Sequence, residues 1–155
     1  MRTMKNLNFV QLNEVNFGVV KQYVNENPGQ YKGLEELFKL NEYSTYSEEE
    51  YDLLEPWIQW ASVHTEKTYE EHNIFRLGDV VTAGHDQIFE KVECLGYSVG
   101  CVSPMNALNR LAKPKFFIPD PWTNTEPDKS FTSRNLHKVL RQAVNDNSQE
   151  RLSIS

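Results

Sequence analysis

The residues of this chain whose types and spacing best suit chemistry lie at a predicted helix start around Gln59. Pro56 suits the entrance to a helix, and the bulky side chains of Trp57, Ile58 and Trp60 supply an apolar surface behind it. The Gln59 side chain would then lie in the first helical turn. Free backbone N–H groups and the helix dipole favour an anion at that place. The segment therefore predicts an oxyanion-binding helix start.

A carboxylate, Glu14, is the second candidate. It follows Leu7–Leu12, whose alternation of apolar and polar residues is typical of a short strand. The carboxyl ends of strands in α/β sheets are where ligand- and metal-binding groups gather, and a carboxylate there can hold a divalent ion. Alternatively, Glu14 interacts only with the dipole of the helix that follows. Both interpretations stay open from the residues alone.

Hydroxyl and imidazole groups give weaker signals. Ser62 and Thr65 are possible nucleophiles, but neither has a base close by in the sequence, and hydroxyls are common in helices. No two of the four histidines have the i, i+4 spacing of a helical metal site, so we expect them at the surface or in packing. The four are His64, His72, His85 and His137.

Acidic side chains are plentiful but give no specific signal. Six of them fall between Glu42 and Glu55, and glutamates at a helix start usually form a solvated face that the helix dipole favours. Asp86 and Asp120 have no predicted role. The sequence therefore predicts no metal cluster among these residues.

Strands and helices alternate in the elements that must position these residues. Helical spacing predicts a helix after Asn16 and another over Gly33–Leu40. Gly84–Leu95 is the clearest helix, and Tyr97–Val102 after it reads as a short buried strand. We expect this strand to pair in parallel with Leu7–Leu12, with helices covering both faces.

The C-terminal third begins with an irregular segment. Ser103–Lys129 contains five prolines and little periodicity, and such a loop in a compact domain is often functional. Phe131–Val144 then carries an apolar stripe that predicts a final helix packed on the core. Residues 146–155 are expected to fray.

Length and composition indicate one folded domain over residues 1–155. Hydrophobic residues make up 39% of the chain and charged residues 25%, as in ordinary folded domains. The formal net charge of -6 gives no general attraction to nucleic acid or to an anionic membrane. We therefore expect neither as a partner, although a local basic face remains possible.

The cysteine content and the absence of long apolar runs predict a cytoplasmic protein. The N-terminus lacks the apolar region of a signal peptide, and no apolar run approaches the roughly 18 residues of a membrane span. Cys94 and Cys101 are expected to be buried free thiols rather than a disulfide.

The segment EPWIQWASVHTEKTYEEHNI also carries a resemblance. Its pattern rests on ten residues: Pro56, Trp57, Gln59, Trp60, Ser62, Thr65, Glu66, His72, Asn73 and Ile74. It resembles the nucleophile region of the alkaline phosphatase superfamily, in its type I phosphodiesterase and nucleotide pyrophosphatase-like branch. There, a Pro-Trp-x-Thr-Trp-x-Ser-x-x-Thr-Gly pattern precedes a short run ending in His-Gly-Ile.

This resemblance implies a set of roles. The nucleophile position falls on Gln59, which has no hydroxyl, and two glycine positions fall on Glu66 and Asn73. Glu14 takes the place of a metal-binding carboxylate, and Asn106 that of a substrate contact. The implied cofactors are divalent metals, zinc or manganese, and the implied substrates are phosphate or sulfate esters. The remaining metal ligands belong to a C-terminal half of the family fold that has no counterpart here.

Three interpretations follow. The first is the N-terminal portion of a metal-dependent ester hydrolase, with a partial alkaline-phosphatase-like parallel sheet flanked by helices, incomplete or inactive as this chain. The second is a non-catalytic α/β domain that binds an oxyanion or a partner protein. The third is a truncated or split gene product whose sheet is completed by another chain, so that an oligomer would be expected.

Overall fold

The structure, a computed structural model, describes residues 6–149, and these fall into two compact units. The N-terminal unit extends to Tyr46, and the C-terminal unit begins at Ser47. The prediction of one domain over residues 1–155 stays a prediction. Within the described part, no helix is both long enough and apolar enough to cross a lipid bilayer.

The N-terminal unit contains two helices, α1 (Phe17–Glu26) and α2 (Lys32–Leu37). The side chain of Asn16 caps α1 by accepting a hydrogen bond of 3.1 Å from the Val19 N–H. Both helices were predicted from their apolar spacing, and both are confirmed.

The predicted first strand is wrong. Residues 7–12, all of them described, are irregular, and the Leu7 and Val10 side chains are 76% and 73% exposed. A strand is stable only when a neighbour takes up its backbone hydrogen bonds, and alternation of side chains cannot supply that neighbour. Glu14 consequently lies in an exposed turn with a left-handed backbone (φ 58°) instead of at a strand end.

The C-terminal unit is mixed α/β. A 3₁₀ turn at Tyr51–Leu53 leads into α3 (Pro56–Thr65), which has Pro56 at its first position as predicted. Six further elements follow: α4 (Tyr69–His72), α5 (Val80–Ala83), α6 (Ile88–Cys94), the strands β1 (Gly100–Val102) and β2 (Phe116–Ile118), and α7 (Phe131–Ser148).

The sheet is a parallel pair formed by β1 and β2, with Cys101 opposite Phe117. The predicted strand Tyr97–Val102 is thus confirmed over its last three residues, but its partner comes from the segment expected to be irregular. Gly100 permits this pairing, because a Cβ atom there would lie 2.5 Å from the Phe116 ring.

Two small hydrophobic clusters stabilise the C-terminal unit. One lies between α6 and the sheet, and the other between α3 and α5. The first comprises Phe89, Val99, Cys101, Ala107 and Phe117, and the second Ala61, Ile74 and Val80. Both cysteines are free thiols as predicted, but only Cys101 is buried, while Cys94 is exposed.

Helix α7 packs with a different side from the apolar stripe that was predicted. Its Leu136 and Val139 side chains are 46% and 62% exposed, whereas Ser133 and His137 are 2% and 6% exposed. Asp128 holds the start of the helix by accepting hydrogen bonds from the Phe117 N–H at 2.6 Å and the Ser130 N–H at 2.7 Å. The helix continues to Ser148, and the rest of the predicted tail from residue 150 on lies outside the described residues.

Candidate functional site

Gln59 lies at the fourth position of α3, at the end of the first helical turn. Its side chain is half-buried, and Nε2 donates a hydrogen bond of 2.7 Å to the Leu53 carbonyl. That bond fixes the 3₁₀ turn beside the start of the helix. At the position to which the resemblance assigns a nucleophile, the chain therefore has an amide that positions a neighbouring turn.

A cavity of about 270 Å³ lies beside this helix start. Its walls include the aromatic rings of Tyr51, Trp57 and Phe75. Its charged groups are two carboxylates, from Asp52 and Glu55, and one guanidinium, from Arg76. Because negative charge predominates, the cavity is a poor place for the oxyanion that the helix start alone would favour.

Asn106 lies at the centre of the loops that follow the carboxyl end of β1. Its side chain is fully buried, and Oδ1 accepts a hydrogen bond of 2.9 Å from the Gly78 N–H. Nδ2 donates to the carbonyls of Trp57 at 3.1 Å and Arg76 at 3.3 Å. The side chain thereby joins the segment after α4 to the start of α3, and its role as a substrate contact stays a prediction.

Asp120, for which no role was predicted, holds the corresponding place after β2. Its side chain is 1% exposed. The carboxylate accepts bonds from the backbone N–H groups of Asn106, Trp122 and Thr123 at 2.8 to 2.9 Å, and from the Thr123 hydroxyl at 2.6 Å. A buried carboxylate needs such donors, so Asp120 ties the ends of the two strands together.

Ser62 has a base within hydrogen-bond distance, which its sequence neighbours did not indicate. The Ser62 Oγ lies 2.9 Å from His72 Nε2, and His72 Nδ1 accepts a bond of 2.9 Å from the Ile74 N–H. Because Nδ1 accepts, the proton of the neutral ring must be on Nε2. Burial, together with the nearby His85, lowers the pKa of His72 and so favours this neutral ring.

The Ser62 and His72 pair consequently cannot work as nucleophile and base in this arrangement. A general base needs a lone pair on the nitrogen that faces the hydroxyl, and this ring presents its N–H there. The Ser62 hydroxyl donates in turn to the Ile58 carbonyl at 3.4 Å. The pair links α3 to α4.

The metal prediction for Glu14 gains no second ligand. Within residues 6–149, no group of three or more His, Cys, Asp or Glu side chains is arranged to hold a metal ion. Glu14 lies in an exposed turn, whereas the metal-site prediction placed it at the carboxyl end of a strand. The assignment of zinc or manganese stays a prediction.

An open groove of about 630 Å³ runs along α7 and has a different charge. Three cations line it, Arg134, Lys138 and Arg141, against two carboxylates, Glu126 and Asp146. The cations recur at i, i+4 and i+7, which places them on one side of the helix. None of the three forms an ion pair with a carboxylate in the described part of the chain.

This basic groove is the feature that the sequence analysis missed. The three cations recur at helical spacing in the sequence, but the apolar stripe of the same helix predicts a different side for its contacts. Only the packing of α7 shows that the basic side lines a concave surface. We refer to the surface lined by Arg134, Lys138, Arg141 and His137 as the α7 groove.

No family model, curated protein or solved structure matches the chain. The resemblance to the alkaline phosphatase superfamily therefore depends on the residues of the sequence alone, chiefly those of residues 55–74.

Proposed function

We propose that this chain is a non-catalytic α/β domain that binds an oxyanion-bearing ligand in the α7 groove. The observation that carries the proposal is the set of three cations on one side of α7 without carboxylate partners among the described residues. Like charges at helical spacing repel one another by a few tenths of a kcal/mol per pair, roughly 0.2–0.5. An anion in the groove would relieve that repulsion and gain charge-assisted hydrogen bonds.

Two observations support the non-catalytic part of the proposal. Gln59 has no hydroxyl to attack an ester, and its amide is bonded to the Leu53 carbonyl. Ser62 faces the protonated nitrogen of His72. Neither residue is therefore poised to act as an activated nucleophile.

Thermal unfolding with added phosphate tests the anion site. A ligand that binds only the folded state stabilises it, by about 2.7 kcal/mol at one hundred times its dissociation constant. We expect sodium phosphate to raise the melting temperature above that in sodium chloride of the same ionic strength, which matches the screening of charges; the general stabilising effect of phosphate is common to all variants.

A charge-matched pair of variants locates the site. The groove variant carries Arg134→Gln, Lys138→Gln and Arg141→Gln. The control variant loses the same charge at exposed lysines elsewhere, through Lys32→Gln, Lys113→Gln and Lys115→Gln. Loss of the phosphate effect in the groove variant alone supports the proposal, and an equal effect in both variants contradicts it.

Ester hydrolysis, implied by the resemblance, is the second candidate function. The observation in its favour is local backbone geometry. Glu66 and Asn73 occupy the two glycine positions of the family pattern, and both have left-handed conformations, with φ of 59° and 52°. Glycine adopts this conformation without strain. The glycines of the family pattern would therefore suit the observed backbone better than Glu66 and Asn73 do. Descent from an alkaline-phosphatase-like fold would explain the agreement.

Turnover assays test this second candidate. The purified chain would be incubated with zinc or manganese and a panel of aryl phosphodiesters, phosphomonoesters and sulfates. Metal-dependent turnover that Glu14→Ala abolishes would support hydrolysis, and its absence, also after Gln59→Thr restores a hydroxyl, would exclude it for this chain.

A further inference from the structure

The α7 groove contains one residue that can distinguish between anions, His137. It lines the groove with the three cations, and its side chain is 6% exposed. Nε2 is buried and has no hydrogen-bond partner within the described residues. A buried polar atom without a partner destabilises the folded state. A ligand atom that reaches Nε2 would recover part of that energy.

The protonation state of His137 follows from its surroundings. Hydrogen bonding with the backbone of Asp120 acts to raise the pKa of the ring, which is the direction expected when a carbonyl accepts from the ring N–H. Since Nε2 has no partner, the donor must be Nδ1, so the neutral ring has a lone pair on Nε2. Nε2 can then accept a hydrogen bond, or take up a proton and donate one.

Charged groups act on His137 from three elements. Burial and Arg141, on the same helix, lower the pKa of His137. The backbone and carboxylate of Asp120 after β2, and the carboxylate of Glu126 before α7, act in the opposite direction. The net effect is a lowered pKa, so the empty groove holds a neutral ring at neutral pH.

Phosphate and sulfate differ in the proton that they can supply to this ring. Both are tetrahedral oxyanions that the three cations would attract. A phosphate or phosphomonoester retains a titrating O–H group near neutral pH, whereas sulfate carries no proton there.

We propose that His137 makes the α7 groove selective for phosphate monoesters and inorganic phosphate over sulfate. This inference rests on the proposed anion-binding function. The monoanionic form of a phosphomonoester donates its O–H to Nε2, and the proton is shared within the complex. The dianionic form binds with uptake of one proton from solution onto Nε2, so that both routes give the same complex. Sulfate can bind only with uptake of a proton onto Nε2. Because sulfate is a weaker base than phosphate, it accepts a weaker hydrogen bond from that N–H.

Isothermal titration with inorganic phosphate and with sodium sulfate tests the selectivity. We expect phosphate to bind at least about tenfold more tightly at pH 7 and constant ionic strength, a difference of about 1.4 kcal/mol. His137→Phe, which keeps a ring of similar size, should reduce the ratio to about one while weak binding of both anions persists through the cations.

A measurement on the unaltered protein guards against a variant that fails to fold. The imidazole NMR signals of His137 should shift on addition of phosphate, and its apparent pKa should rise, whereas the same changes should require about tenfold more sulfate. If both anions bind equally and the His137 signals do not respond, the selectivity is refuted while the anion site stands. If neither anion binds, the proposed function and this inference both fail.

Discussion

His64 provides a pH-dependent test of the packing in the C-terminal unit. Its imidazole is 1% exposed and lies against the Trp60 ring, at 6.1 Å between centroids, and the Phe89 ring, at 5.0 Å. Burial lowers the pKa of His64 to about 4 from its ordinary value of 6.5. The folded protein therefore holds a neutral ring at pH values where the unfolded chain is already protonated.

The sign of the effect follows from that difference. Above pH 6.5 the ring is neutral in both states, and protons do not distinguish them. As the pH falls below 6.5, the unfolded chain binds a proton first, so the free energy of unfolding decreases until the folded pKa is passed. The full loss is about 3.4 kcal/mol at 1.36 kcal/mol per pKa unit, of which about 1.8 kcal/mol falls between pH 7 and pH 5.

Urea unfolding at pH 7, 6 and 5 measures this loss. All three tryptophans, Trp57, Trp60 and Trp122, belong to the C-terminal unit, so their fluorescence reports on its unfolding. Burial also lowers the pKa values of His72 and His137, and both add to the slope in the same direction.

The contribution of His64 is isolated by His64→Phe, which places a ring without titratable groups between the same aromatic neighbours. We expect the variant to lose about 1.8 kcal/mol less stability than the natural sequence between pH 7 and pH 5. Equal losses in the two proteins would refute the reasoning, as would an NMR titration midpoint of the His64 ring near 6.5.

Three further predictions concern single sites. Asn106→Ala should reduce the free energy of unfolding by about 2–4 kcal/mol, because it leaves the part-buried Gly78 N–H and two carbonyls without their partners; a loss below about 1 kcal/mol in urea unfolding would contradict the role we give that side chain. Glu66→Gly should be about 1 kcal/mol more stable than Glu66→Ala. Both variants remove the exposed ion pair to Lys91, but only glycine removes the strain of the left-handed backbone at this position. Equal melting temperatures of the two variants would argue against strain there. Finally, the exposed Cys94 should react rapidly with a thiol reagent in the folded protein. Cys101 should react only on unfolding, because burial raises the pKa of its thiol to about 12. Labelling of both thiols at the same rate would show that β1 is more open than described.

Local patterns in the sequence predicted the helices better than the sheet. Asn16, Pro56 and Ser130 mark helix starts because capping and proline geometry act within one turn. The strand Phe116–Ile118 escaped prediction because three residues between prolines show no alternation. Phe116–Ile118 forms a strand only because it pairs with Gly100–Val102, and each pair of partners is sixteen residues apart in the chain.

The candidate sites likewise divide into what the sequence predicts and what only tertiary contacts decide. Carboxylate, amide and hydroxyl groups could be recognised from their residue types, but their roles depend on partners distant in sequence. Asn106, a predicted substrate contact, bonds to Gly78 and Trp57, 28 and 49 residues away. Ser62 has its imidazole partner ten residues on, and only the bond from Ile74 fixes which nitrogen carries the proton.

By itself, the sequence determined that Gln59 would lie in the first turn of a helix, that both cysteines would be free thiols, and that Arg134, Lys138 and Arg141 would share one side of a helix. These properties follow from composition and from spacing within one or two turns. Tertiary structure alone decided which side of α7 is buried. Asp128 joins the start of that helix to β2 through the Phe117 N–H, while the apolar stripe stays exposed and the cations lie beside a groove. The contact with β2 forms only in the folded chain, and no spacing within the helix encodes it.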